Sequence, residues 1–508
     1  MKKYILLLAP AYLMMLVGCV GPKKDTPIDP VEPEEPIIIG DEDPVIKDSE
    51  EYNTFWNPNT SLSLNISMSQ EAAEFINNYQ SNHDDSTYFD YYVPCTVSLK
   101  MNDKTYNFEE VGIRQKGNMS RRTSLIDGNL SLDSLVHYKL SFKETFDDEE
   151  YTTISELNSF AKTWEDSAAK KERKARRLFD MEKIDIKWNR NDDLSKSKQG
   201  YALKQFRSHG VLAGHETLAD TTIGINGKTP INTTYEVFEC IDSTFIKRHF
   251  SETLADGDLY KCCYTDRGPA NMSSSYEIGN QIGVEKNAEN YHPAYDLKTN
   301  KKKNTTHTNL YNFFEVVNNK TLLASQYKTK LEAALDVKSF LMYESIAFLL
   351  GNFDDMRNNA NNYYLYFTSG ENPIAYVIPY DFDRCLGAGC EGKQEFMTNF
   401  SAESTKMQCS GDWQTINLYW RTICQNTGHT NVQRVEEYRT TYQKNVEDLL
   451  NNGDFSANSF ASYVNSFPQA YRGQVNGAGE NNISFAEYLS MKISKIKECN
   501  PSYDIKVS

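Results

Sequence analysis

The residues best suited to chemistry lie in two polar stretches flanking an apolar run. The first is Asn352-Phe353-Asp354-Asp355-Met356-Arg357-Asn358-Asn359-Ala360-Asn361-Asn362, and the second is Asp381-Phe382-Asp383. Carboxylates carried on loops at the ends of a hairpin suit metal-assisted phosphoryl transfer. One acid accepts the proton of an attacking hydroxyl, while another, with an amide oxygen, holds Mg²⁺ on nucleotide phosphates. Asp and Asn are also common turn formers, so the same stretches read alone equally describe polar loops capping a helix.

Regular elements must position these groups. Asp336 to Leu350 is an apolar run with an Asp N-cap, stopped by Gly351-Asn352, and is predicted to be a helix. Tyr363 to Phe367 and Ala375 to Tyr380 read as two strands joined by a polar turn. Upstream, Leu62 to Met68, Val97 to Met101 and His137 to Phe142 alternate as strands, with Asn102-Asp103 as a hairpin turn. A further hairpin is expected from Ile223 to Glu239, turning at Asn226-Gly227. Residues 166–180 have helical propensity with Asp166 or Ser167 as N-cap, and 432–450 and 483–498 are also helical in pattern. This predicts an α+β chain, with a β-rich first lobe over 51–300 and an α-rich second lobe over 301–508 carrying the acidic loops.

The 508 residues hold 54 Lys+Arg against 70 Asp+Glu, a formal charge of -16. That balance argues against a chain that coats nucleic acid, which needs a basic face. With 39% hydrophobic residues the chain is no membrane bundle. Its start reads as an export signal over residues 1–19: Lys2 and Lys3 precede an apolar segment to Gly18 that is too short to span a bilayer. Leu16-Val17-Gly18-Cys19 resembles a bacterial lipobox, which makes Cys19 the expected lipidation site and the membrane the expected anchorage. Residues 20–50 are acidic and Pro-rich and are expected to form an extended tether. Beyond Cys19 nine cysteines remain, so at least one stays free; Cys385 and Cys390 are placed for a short disulfide loop. No C-x-x-C or H-E-x-x-H pattern occurs, which argues against zinc.

Two apparent nucleotide motifs are decoys. Gly387 to Gly392 fits G-x-G-x-x-G without a βαβ setting, and Gly224 to Thr229 is better explained as a hairpin turn than as a P-loop. The basic residues Lys170, Lys171, Arg173, Lys174, Arg176 and Arg177 read as a solvated helix face. By contrast, Asp354 and Asn359 have the Asp-to-Asn spacing of the protein-kinase catalytic loop, although no His-Arg precedes the Asp.

Several motifs in order resemble the CotH-type kinases, an atypical protein-kinase-like family. They are Val111 to Ser120 with Arg114, Lys116, Gly117 and Asn118; Tyr138 to Lys143; Leu157-Asn158 with Trp164 to Ser167; and Ile225 to Gly227 followed by Glu239 and Ile241-Asp242. The loop from Asn352 and Pro379-Tyr380-Asp381-Phe382-Asp383 complete the set. The resemblance implies a two-lobed kinase-like fold using ATP with Mg²⁺ or Mn²⁺. It implies Asp354 as the base, with Asp355 as its rival, and Asn359 or Asn361 as the amide metal ligand beside Asp381 and Asp383. Lys139 or Lys143 would contact phosphate, Glu239 would orient that lysine, and Arg114 and Lys116 would reach phosphate oxygens. The implied activity is transfer of the γ-phosphoryl group to Ser, Thr or another hydroxyl of a secreted or surface protein. The readings from other classes are an inactive kinase-like binding or adhesion lipoprotein and a carbohydrate-active lipoprotein; the joint presence of Asp354, Asp381, Asp383 and a strand lysine favours the enzyme.

Overall fold

The computed structural model describes residues 36–78, 90–117, 120–189, 192–389, 416–424 and 432–507, all within the unit Val31–Ser508. The export segment with Cys19, the tether as far as residue 35, Asn118, Cys390 and Cys409 lie outside the described residues.

Alternation builds a barrel from the first strands. These are β1 (Leu62–Met68), β2 (Val93–Met101), β3 (Lys104–Gln115), the small hairpin β4 (Leu125–Ile126) and β5 (Asn129–Leu130), then β6 (Tyr138–Ser141), β7 (Lys183–Lys187), β8 (Glu216–Ile225) and β9 (Ile231–Glu239). Around the barrel the order is β1-β2-β3-β6-β7-β9-β8, closed by parallel pairing of β8 with β1. Leu64, Val97, Leu99, Ile184, Ala219 and Val237 fill its interior and are buried. Since successive side chains point to opposite faces, Lys139 on β6 and Asp185 and Lys187 on β7 project outward from that core. Arg114, Lys139 and Asp185 are direct cross-strand partners on β3, β6 and β7, so they form one row.

A second sheet is assembled from β10 (Asp258–Cys262), β11 (Ile282–Gly283), β12 (Tyr295–Leu297), β13 (Tyr363–Phe367) and β14 (Ala375–Pro379), in the order β11-β12-β10-β13-β14. It draws strands from both sides of residue 300, so the boundary expected there cuts through a sheet. The helix Val337–Leu350 is buried on every side from Tyr343 onward, consistent with its largely apolar sequence. Asp336 caps it by accepting from Ser339 N at 2.7 Å, and Gly351 ends it in the left-handed region at φ +60°.

The α+β reading agrees with this mixed content; closure of the barrel is an addition to it. So is the helix Lys198–Ser208, whose Gly200 weakens its helical signature. A Cβ at Gly200 would meet Glu216 Oε2 at 1.8 Å, so close packing on β8 requires glycine there.

Three expectations are corrected. Residues 36–49 are docked rather than extended tether: Ile39 N donates to His249 O at 2.7 Å, and Ile37 and Ile39 pack on an apolar cluster that includes Phe245 and Phe250. The apolar run Ile37-Ile38-Ile39 gives this part of the acidic segment something to bury. Cys385 carries a free thiol, whereas Cys424 is disulfide-bonded. The basic helix forms only over Ser167–Ala175, with Asp166 as N-cap and no buried residue, so Lys171 and Lys174 are solvated as expected, whereas Arg173 and, beyond the helix end, Arg176 and Arg177 spend their charge internally. Arg173 pairs with Glu110, Arg177 with Glu182, and Arg176 donates to the carbonyls of Phe142, Glu109 and Glu110.

Candidate active site

One buried amide joins the two acidic stretches. Asn352 Oδ1 accepts from Asp354 N at 3.0 Å, and Asn352 Nδ2 donates to the Asp381 carbonyl oxygen at 3.3 Å. Asp354 and Asp355 then part company. Asp355 is fully buried and caps the short helix Met356–Asn359, its Oδ1 accepting from Asn358 N at 2.9 Å. Burial, with Glu344 nearby, pushes its carboxyl up to about 8.

Asp354 faces the opposite way, into a cavity of about 340 Å³. Its Oδ1 accepts from Asn359 Nδ2 and Asn361 Nδ2, each at 3.0 Å, and its Oδ2 accepts from Asn362 Nδ2 at 3.2 Å. Ala360 and Asn362 have φ of +51° and +55°, in the left-handed region that Asn enters more readily than most residues. The Asn-rich loop thereby curls its amides onto one carboxylate and fixes its direction.

The opposite wall of the cavity is the outer face of the barrel. Lys187 reaches across to Asp381 Oδ1 at 2.5 Å and Asp383 Oδ2 at 3.2 Å, and also donates to Gln199 Oε1 at 3.0 Å. Burial opposes the Lys187 charge, but the two aspartates hold the ammonium well above its ordinary range. Burial also opposes the Asp381 charge; Lys187 and Lys116 nevertheless keep its carboxyl well below the usual carboxylate range. Asp383 is pushed up by burial and by the Asp381 charge beside it. Next to this triad, Lys116 meets Asp185 Oδ2 at 2.7 Å and Lys139 meets Asp185 Oδ1 at 3.2 Å. A buried lysine and a half-buried one thus share one acid, an arrangement that presents net positive charge to the cavity.

Asp354, Asn361, Asp381, Asp383, Lys116, Lys139 and Arg114 are brought together around this cavity. Arg114 pairs with Asp90, as does Arg121. Asn361 uses its Oδ1 to accept from Tyr264 N at 2.8 Å. Asp355 and Asn359 are not in the lining. Lys143 is also absent from it and pairs with Glu182, because a strand residue four places from Lys139 lies beyond the end of β6. Glu239 meets neither Lys139 nor Lys143 in an ion pair; it accepts from Tyr52 Oη at 2.8 Å and from His215 N at 3.2 Å. Sequence reasoning missed Lys187 and Gln199. The signal for the first is present in Lys183-Ile184-Asp185-Ile186-Lys187, a two-residue alternation that puts Asp185 and Lys187 on one face.

Among the described residues no group of three or more His, Cys, Asp or Glu side chains could hold a metal ion unaided. Mg²⁺ is commonly held by one or two carboxylates, with substrate phosphates and water completing its shell. Asp381 and Asp383, with 32% and 29% of their side chains exposed, fit that smaller role.

No curated protein matches this chain. The family model described as CotH kinase protein matches residues 113–490, a span that includes β6, β7, the Asn352–Asn362 loop and Asp381-Phe382-Asp383. With most of its length matched, the chain belongs to the CotH kinase family and is kinase-like.

Proposed function

We propose that the chain is an exported, lipid-anchored kinase that transfers the γ-phosphoryl group of ATP to Ser, Thr or another hydroxyl of a secreted or surface protein. The observation that carries this reading is the convergence on one cavity of an aimed carboxylate, Asp354, with Lys187 bridging Asp381 and Asp383. In this reading the barrel is the upper lobe of a kinase-like pair and the helical part the lower one. Support for export comes from Lys2, Lys3 and the apolar segment ending at Cys19, and the disulfide at Cys424 suits an oxidising compartment.

Asp354 takes the proton of the acceptor hydroxyl. The freed oxygen forms a bond to the γ-phosphorus as the bond from that phosphorus to the β–γ bridging oxygen breaks, and ADP leaves with the electron pair. Lys116 and Lys139 offset phosphate charge from the barrel side, while Asn359, Asn361 and Asn362 keep Asp354 pointed at the acceptor. A Mg²⁺ or Mn²⁺ ion would be held by Asp381 and Asp383 and would supply further charge neutralisation on the phosphates.

The test is transfer from labelled ATP with Mg²⁺ or Mn²⁺ by the full chain, beside Asp354→Asn and Asp381→Ala. Label transferred by the wild type should fall about 10²- to 10⁴-fold in Asp354→Asn, the range for losing a general base. A wild-type chain that binds ATP and metal but transfers nothing to itself or to an acceptor panel would instead identify a binding scaffold.

A further inference from the structure

The lysines around the cavity differ in how their charge is met. Lys116 and Lys139 share Asp185, Lys187 has Asp381 and Asp383, and Lys298 pairs with Asp296 and, at 3.3 Å, with Glu285. Lys261, on β10 of the second sheet, forms no ion pair among the described residues. Its ammonium lies 5.2 Å from the centroid of the Tyr380 ring. Nearby Glu285 is already engaged by Lys298 and by His292 Nδ1 at 3.0 Å. Burial pushes the neighbouring Cys263 thiol up.

A second cation is on the same ring. Lys116 Nζ lies 5.4 Å from the Tyr380 centroid and donates to Tyr380 Oη at 3.2 Å. One aromatic side chain is therefore flanked by an ammonium from the barrel and another from the sheet, immediately before Asp381 in the chain. Lys116 already has Asp185 as its counter-ion, whereas Lys261 has no ion-pair partner among the described residues, so an anion seated beside Tyr380 would gain from Lys261 most directly. A linear polyanion entering there would meet Lys116 and Lys139 on one wall and Lys261 on the other.

We propose that Lys261 is a polyphosphate-binding residue, closing on the phosphate chain from the second sheet opposite the barrel lysines. Its identification of that chain as a nucleotide's rests on the kinase reading above; the anion site itself does not. The side chain acts as a point charge and contributes to phosphate binding rather than to proton transfer.

Calorimetric binding of inorganic tripolyphosphate and of adenosine to the full chain tests this directly, with Lys261→Met and Lys261→Arg beside the wild type and Lys261→Gln as a second neutral variant should the Met form not fold. Loss of one charge-assisted contact should weaken tripolyphosphate about tenfold in Lys261→Met, with Lys261→Arg close to wild type. Adenosine binding should not change between them. The proposal is overturned if the neutral variants bind tripolyphosphate as the wild type does, if adenosine weakens equally, or if the wild type binds no tripolyphosphate. A chain that shows the expected tripolyphosphate loss but transfers no phosphoryl group in the labelled-ATP assay would refute the kinase reading and leave Lys261's role standing.

Discussion

Two clusters in this protein have the same composition, one cation with two acids, and opposite surroundings. In the first, Lys187 bridges Asp381 and Asp383, whose side chains are 32% and 29% exposed. In the second, behind the acidic loop, Arg357 meets Glu344 at 3.1 Å with Asp355 close by, and none of the three is more than slightly exposed. Tyr419 Oη donates to Glu344 Oε1 at 2.7 Å, and Arg357 donates to Tyr442 Oη at 3.2 Å. Burial pushes Glu344 up to about 7 and Asp355 to about 8, whereas Lys187 and Lys116 hold Asp381 well down despite its burial. Access to the cavity, more than residue type, separates a set that can exchange partners with an incoming ligand from a set that fixes a loop. Asp354 and Asp355, adjacent in sequence, fall on either side of that divide.

The sharpest way to break the comparison is to remove the cation from each. Arg357→Met leaves Glu344 and the tyrosine hydroxyls around it with an unfilled partner in a sealed site, and about 3 kcal/mol of stability should be lost. Lys187→Met should cost only about 1 kcal/mol, because Asp381 and Asp383 reach solvent and can separate or hydrate. Urea unfolding of the two variants reads the difference. Equal losses would mean that the cavity cluster is as structural as the buried one.

A smaller effect sharpens the cavity side alone. Without Lys187 the two aspartates lose the cation that bridges them, which makes them a better seat for a divalent ion. Mn²⁺ should therefore raise the melting temperature of Lys187→Met more than that of the wild type, by about 1 °C for roughly 1 kcal/mol of extra binding in a chain of this length. An identical Mn²⁺ response in the two chains would remove Asp381 and Asp383 from the metal role. The same variant should transfer less phosphoryl even when fully folded, since Lys187 sets the position of Asp381.

This division was only partly legible in the sequence. The helix cap at Asp336, its stop at Gly351, the turn at Asn226-Gly227 and the strands flanking the acidic loop follow local rules of capping and alternation, and all form as expected. Which of two adjacent aspartates faces the cavity does not follow from such rules. It depends on Asp355 closing a four-residue helix and on three asparagines turning toward Asp354, contacts decided by tertiary packing. Lys187 was readable from its alternation with Ile184 and Ile186 but not its reach to Asp381, which lies far along the chain. Lys143 and Glu239 fit the family pattern by position in sequence, yet each is met by another partner, Glu182 and Tyr52.

The smallest expected effect lies in the pH dependence of the buried cluster. Folding raises Asp355 from 3.8 to about 8, so between those values the folded chain holds a proton that the unfolded chain has released. The stability linked to this group is therefore full at low pH and is lost as pH rises toward about 8, with a slope no steeper than about 1.4 kcal/mol per pH unit. Glu344, raised to about 7, acts in the same direction over a narrower window. Asp355→Asn copies the protonated acid: its Oδ1 can still accept from Asn358 N, and its amide takes the place of Oδ2, which is buried without a hydrogen-bond partner. Urea midpoints measured at pH 5, 6.5 and 8 should fall with pH in the wild type and fall less in Asp355→Asn. Phosphoryl transfer at pH 7 should survive this substitution, in contrast to Asp354→Asn. If the two chains keep parallel slopes, Asp355 is ionised in the folded state and its cluster resembles the cavity set after all. If Asp355→Asn abolishes transfer with its slope flattened, the assignment of the base to Asp354 alone would give way to a pair.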